Sequence, residues 1–174
     1  MIILKFLGNA AKVLGIFFVI AYTVATNPAF GASKAIIEAI VGIESQIPND
    51  ARTARILGIE RQGNGVVIDS EGLIVTIGYL ILEANIINII DHEGNKTQAE
   101  NVAYDHDSGL GLIRASGKLN VKPLRLGDSS KLFVDENVII LTRSNHNPVG
   151  GAQVVSRRVF TGYWEYMIEN AIFT

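Results

Sequence analysis

Residues 63–81, GNGVVIDSEGLIVTIGYLI, carry two short apolar runs, Val66 to Ile68 and Leu73 to Ile77, on either side of Asp69-Ser70-Glu71-Gly72. Runs this short and this rich in β-branched side chains suit strands better than helices. The four residues between them supply turn chemistry, an aspartate to bond its own backbone and a glycine free to take positive φ. The stretch therefore predicts a hairpin of two strands.

The same rhythm continues outward in both directions. From Arg55 onward RILGIE, GVVID, LIVTI, NIINII, TQAENVAY, LGLIR, NVIIL, AQVVSRRVF and YWEYMIENAI read as strands. Turn signals such as DSEG, DHEGN and GDSS separate them. Strands recurring every roughly 8 to 12 residues, with almost no helical period between them, predict an antiparallel barrel or sandwich. The clearest hairpin turn is His92-Glu93-Gly94-Asn95. Upstream, Ser33 to Ser45 has the apolar spacing of a short helix with Ser33 as its N-cap, followed by a strand near Ile43 to Ile47 and a loop marked by Pro48, Asn49 and Asp50. Lys118 to Leu132, with Pro123 and Gly127-Asp128-Ser129-Ser130, reads as a connector between two sub-structures. No internal repeat or low-complexity segment is present.

The 174 residues carry a net charge of -2 and are 48% hydrophobic. That fits one globular domain or two small ones, and it leaves no basic footprint for nucleic acid. Cysteine is absent, which removes disulfides, thiolate nucleophiles and cysteine-based metal sites. At the amino end, Lys5 and Lys12 precede the apolar run Val13 to Ala25. As a helix this run spans roughly 20 Å, short of the ~30 Å hydrocarbon core, which suits a secretory signal. Cleavage after Gly31 or Ala32 fits an imperfect small-residue site, and an uncleaved membrane anchor is the alternative. Either reading puts the remainder outside the cytoplasm.

Four stretches, in order, resemble the amino-terminal two-thirds of the protease domain of HtrA (Deg)-type trypsin-like serine proteases. GNGVVIDSEGLIVTIGYLILEA is similar to the family's G-S-G-x-x-I-D-x-x-G-x-I-L-T-N-x-H-V-V segment. YDHDSGLGLIRA is similar to Y-D-x-x-x-D-L-A-L-L-K, and PLRLGDSSKLFVDENVIIL to P-L-x-L-G-D-S-x-x-L-x-V-G-x-x-V-x-A-I. The terminal YMIENAIFT resembles the segment leading into the nucleophile loop. The resemblance implies an all-β fold, a trypsin-like double antiparallel β-barrel. Its first barrel is expected to be complete and its second truncated, with a hydrophobic leader helix in front. The expected parts are a leader over 1–32, a first barrel over 33–122, and a connector with a partial second barrel over 123–174.

The resemblance also implies a Ser-His-Asp triad, in which imidazole takes the serine proton, a carboxylate orients the imidazole and backbone N–H groups bind the oxyanion. Laid against the motifs, the histidine place falls on Tyr79 and the aspartate place on Gly109. The serine place lies beyond Thr174. A phenol with a pKa near 10 is no general base at neutral pH. Asp107, two residues before Gly109, would serve only in a register that displaces Leu110, Leu112 and Ile113. A catalytically inactive homologue, a pseudoprotease of the cell envelope that binds peptide or unfolded protein, is therefore expected. An active endopeptidase whose natural chain runs on into a serine loop, or a membrane-anchored structural subunit, are the rivals. Expected partners are peptides or unfolded envelope proteins, copies of the chain, or a larger envelope complex, with the membrane touched only through the amino-terminal segment.

Other tempting residues have plainer roles. His92, His106 and His146 fall in separate loops, and Asp105-His106-Asp107 on a strand would alternate faces, which suits metal chelation poorly. No cofactor and no metal are expected. Ser129 and Ser130 read as a capped turn, and Gly63-Asn64-Gly65 as a close approach at a barrel corner. Phe160, Tyr163, Trp164 and Tyr166 form an aromatic group that would anchor a partner if the second barrel leaves an open sheet edge.

Overall fold

The computed structural model describes residues 2–3, 17–20, 34–143, 149–162 and 167–174. Six strands close into an antiparallel barrel: β3 (Ile40–Gln46), β4 (Glu60–Val67), β5 (Leu73–Ile77), β6 (Ile86–Ile90), β7 (Lys96–Asp105) and β8 (Leu110–Ala115). Around the barrel the order is β3-β4-β5-β8-β7-β6. The opening hairpin is β4–β5, in register Gly65↔Thr76 and Val67↔Ile74. Asp69 makes its turn, its Oδ1 accepting from the amides of Glu71 at 2.9 Å and Leu73 at 2.8 Å, while Gly72 takes φ 79°. The inward residues Val41, Ile43, Val67, Ile74, Ile77, Ile87, Ile89 and Ile113 form the core with Leu80 and Ile81. Burying such side chains stabilises the fold by about 1.5–3 kcal/mol each before chain entropy is subtracted.

Some expectations fail locally. The helix expected over Ser33 to Ser45 is only α1 (Lys34–Glu38), because Ile40 onward pairs with β4 on one side and with β6 on the other. Ladder bonds on both edges outweigh a helical period held by a few isoleucines. Ser33 lies outside the described residues. Arg55 to Glu60, expected as a strand, instead begins in the helical turn α2 (Ala54–Leu57), which Gly58 ends at φ 82° with its amide on the Ala54 carbonyl at 2.9 Å. Of the expected leader helix, residues 17–20 are described. They form the strand β2 (Phe17–Ile20), which pairs with β1 (Ile2–Ile3) and with β9 (Asn137–Leu141). Consecutive aromatic and β-branched residues suit that ladder, and the rest of the leader, Ile2–Ile3 apart, lies outside the described residues. Among the described residues no helix is long and apolar enough to cross a membrane.

Beyond Lys122, β9 pairs with β10 (Val149–Gln153), and β11 (Ser156–Thr161) pairs with β12 (Met167–Phe173). The run AQVVSRRVF is thus two strands. Buried Val154 exchanges bonds with the turn before β9, at Glu136 and Asp135, whereas Val155 donates to Phe173 in β12, so the chain changes partners there. The second region is tied to the barrel by the Leu124 amide on the Val67 carbonyl at 2.9 Å. Arg143 adds to this, its amide on Asn64 Oδ1 at 3.0 Å and its guanidinium on the Asp91 carbonyl at 3.0 and 3.2 Å.

Candidate functional site

At the end of β5 the chain leaves the barrel wall in a 3-10 turn over Gly78–Leu80, which places Tyr79. Leu80 and Ile81 are fully buried and pin the turn to the core, with half-buried Tyr79 packed against the same cluster. From within, Arg61 of β4 holds the turn. Its side chain is 3% exposed, and its guanidinium donates to the carbonyls of Tyr79 at 2.5 Å, Leu82 at 3.0 Å and Gly58 at 3.2 Å, and to Thr53 Oγ1 at 2.7 Å. Thr53 in turn donates its hydroxyl, and its amide at 2.8 Å, to Glu83, which also accepts the Arg52 amide at 3.1 Å. Glu83 occupies the left-handed region at φ 61°, an unusual place for a glutamate, and these donors hold it there. They also hold its carboxyl below the ordinary carboxylate range, the Thr53 hydroxyl most strongly. Burial pushes the Arg61 guanidinium down from its ordinary value, opposed by Glu83 and Tyr79.

Gly109 lies directly beside this turn. Its carbonyl accepts the Gly78 amide at 2.7 Å, continuing the β5–β8 ladder past Ile77↔Leu110. At φ 68° Gly109 closes the turn after β7, with its amide on the Asp105 carbonyl at 2.9 Å. Within that turn Ser108 Oγ donates to Asp105 Oδ2, which chiefly keeps the Asp105 carboxyl low. The Tyr104 ring lies against Gly78, and a Cβ added at Gly78 would stand 2.2 Å from a ring carbon. Burial, with Asp105 second, raises the Tyr104 phenol above its ordinary pKa. The His106 ring rests on Tyr104, with centroids 4.5 Å apart. Asp107 is exposed in the turn, not on the β8 face, and its carbonyl accepts the Met167 amide of β12 at 3.1 Å.

The two places singled out from sequence therefore adjoin, and His106 reaches their edge through Tyr104. What stands there is a phenol on one turn and a glycine on the other. His92 is remote, beside Glu38 of α1 at 3.4 Å, and His146 lies outside the described residues. So do Tyr163, Trp164 and Tyr166, while Phe160 meets Phe173 edge-on at 6.3 Å. Ser130 sits in a turn capped by Asp128, whose Oδ1 accepts its amide at 3.0 Å. Gly63 and Gly65 make room for Leu80, Ile74 and Ile43 side chains rather than for another backbone. Among the described residues no three histidine, aspartate or glutamate side chains converge to hold a metal.

Sequence reasoning missed Arg61. The available signal was strand parity, which puts Arg61 on the inward face shared with Gly63, Gly65 and Val67.

A closed six-stranded antiparallel barrel with these two turns at one rim is the frame of a trypsin-like fold. Residues 63–174 match the trypsin-like peptidase domain family, and the chain belongs to it. Within that family it is similar to HtrA-type proteins. A probable periplasmic serine endoprotease, DegP-like, of Pseudomonas putida is 30% identical over 96 residues, covering 55% of this chain and 20% of that protein. The periplasmic serine endoprotease DegP of Salmonella typhimurium is 30% identical over 95 residues, and that of Escherichia coli 28%. The aligned part amounts to about a fifth of the length of these relatives.

Proposed function

We propose that the chain is a catalytically degenerate HtrA-type module, a pseudoprotease that works in the periplasm or as a secreted protein, holding peptide or unfolded protein in its cleft without cutting it. One observation carries this reading. The turn at Gly78–Leu80 and the turn ending at Gly109 meet through a 2.7 Å backbone bond, with Tyr79 and a glycine where a proton-moving pair would stand. A phenol and a glycine stand at the imidazole and carboxylate places, so the general-base route of the family lacks both of its proton-handling groups there. The apolar leader and the periplasmic names of the relatives support the location.

A second reading, an active endopeptidase, draws on the endoprotease names of the relatives and on His106 at the rim of the site. It requires a serine loop further along the natural chain and a route for the proton through His106. Incubating the natural full-length protein with fluorescein-labelled unfolded casein separates the two. A degenerate cleft predicts a rise in anisotropy with no release of fluorescent fragments. Fragment release that disappears in His106→Ala would establish the second reading instead.

A further inference from the structure

Arg61 is a buried cation with no carboxylate in direct contact among the described residues, spending its donors on three backbone carbonyls and one hydroxyl. Such a group is costly to bury unless its hydrogen bonds are well formed. Two of the four acceptors, the carbonyls of Tyr79 and Leu82, bracket the end of the turn that carries Tyr79. A third acceptor, Thr53 Oγ1, passes the contact on to Glu83 directly after Leu82. The guanidinium thus joins α2, β4 and the exit of the Tyr79 turn through a planar fork. An ammonium cannot reproduce that arrangement, because it is a point charge with no fixed fork.

We infer that Arg61 is the positioning residue of the cleft: its guanidinium, seated in a cradle of the Gly58, Tyr79 and Leu82 carbonyls and backed by Thr53 and Glu83, fixes the Tyr79 turn in the form that receives a partner. The inference rests on the binding role proposed above for that cleft. Removing Arg61 takes its donors away from these acceptors, and the molecule that fits the vacated cradle is free guanidinium.

The test is Arg61→Ala in the full chain, followed by hydrogen exchange and by melting with and without millimolar guanidinium, using equimolar urea as the neutral, similarly shaped control. Expected is loss of protection at the amides of Ile81, Leu82 and Ala84, which close this turn, while Val75 and Ile113 keep theirs. Millimolar guanidinium should raise the melting temperature of the variant and lower or leave that of the parent, and urea should raise neither. Arg61→Lys should fold but recover little of the turn protection. Full protection of the turn in Arg61→Ala, or equal rescue by urea, would overturn the assignment. If Arg61→Ala is too unstable to purify, Thr53→Val provides the milder arm, and unchanged exchange at Ile81 and Leu82 there counts against the cradle. Casein anisotropy, read in parallel, separates the layers. A parent protein that binds nothing removes the binding role alone, whereas an Arg61→Ala chain that loses the turn yet binds as well as its parent removes the positioning role alone.

Discussion

The barrel and the region after Lys122 solve the same problem differently. In the barrel every strand has two neighbours, so no edge is left open, and the inward isoleucines of β3, β5, β6 and β8 meet Val67 of β4 in one cluster. In the second region the described strands form two small sheets, with a lesser cluster of Leu132, Val138, Ile140, Val154 and Ile172 between them. Phe133, Val155, Val159 and Met167 there are each more than half exposed. The contrast is one of packing: Tyr79 and Gly109 stand on a closed barrel, whereas the second region, bonded to it through the Met167 amide on the Asp107 carbonyl, leaves large apolar side chains exposed.

The largest effect that sharpens this contrast is a cavity in each region. Ile113→Ala should cost about 2–5 kcal/mol, since a closed barrel cannot collapse around the void, whereas Ile172→Ala, in an open two-stranded sheet, should fall at or below the lower end of that range. Chemical denaturation of the two variants checks it, and equal costs would break the contrast. Next comes Gly78→Ala, whose methyl would meet the Tyr104 ring and drive the two turns apart, for about 1–3 kcal/mol of overpacking. Its fingerprint is faster exchange at the Gly109-to-Asp105 bond.

Acid provides a smaller, local effect. The carboxyls of Glu83 and Asp105 titrate below the ordinary range in the folded chain, each held chiefly by a side-chain hydroxyl, Thr53 and Ser108. Their contribution is present above the unfolded carboxylate value, about 4, and is lost as pH falls through the folded values. The two turns should therefore loosen below about pH 4 while the barrel amides stay protected. Hydrogen exchange across pH 6 to 3 reads this, and barrel and turns opening together would contradict it. The smallest effect belongs to the exposed pair Lys96–Glu44 at 2.8 Å. Glu44→Gln should change stability by under about 1 kcal/mol and should cease to matter in high salt.

Much of the barrel was legible because turn chemistry and a period of two are local signals. Asp69 and Gly72, Gly94 after Asp91, and the strand read at LGLIR all appear where the sequence puts them. The boundaries that slipped are those where pairing at long range decides. Ile40 to Ile43 carries a helical spacing but is claimed by ladders to β4 and β6, and Arg55 to Leu57 looks extended but is turned by Gly58. At the site, Tyr79 and Gly109 were found by motif, and their adjacency required the fold. Arg61 escaped because it fell between the predicted strands RILGIE and GVVID, and only the longer strand β4 turns it inward.

The central proposal is that a trypsin-like framework stands here without the groups that would move a proton in its cleft. Treating the natural full-length protein with a fluorophosphonate probe, beside a heat-denatured sample, tests it most directly. No covalent adduct in either sample is the predicted result. A stoichiometric adduct that vanishes on denaturation would contradict it.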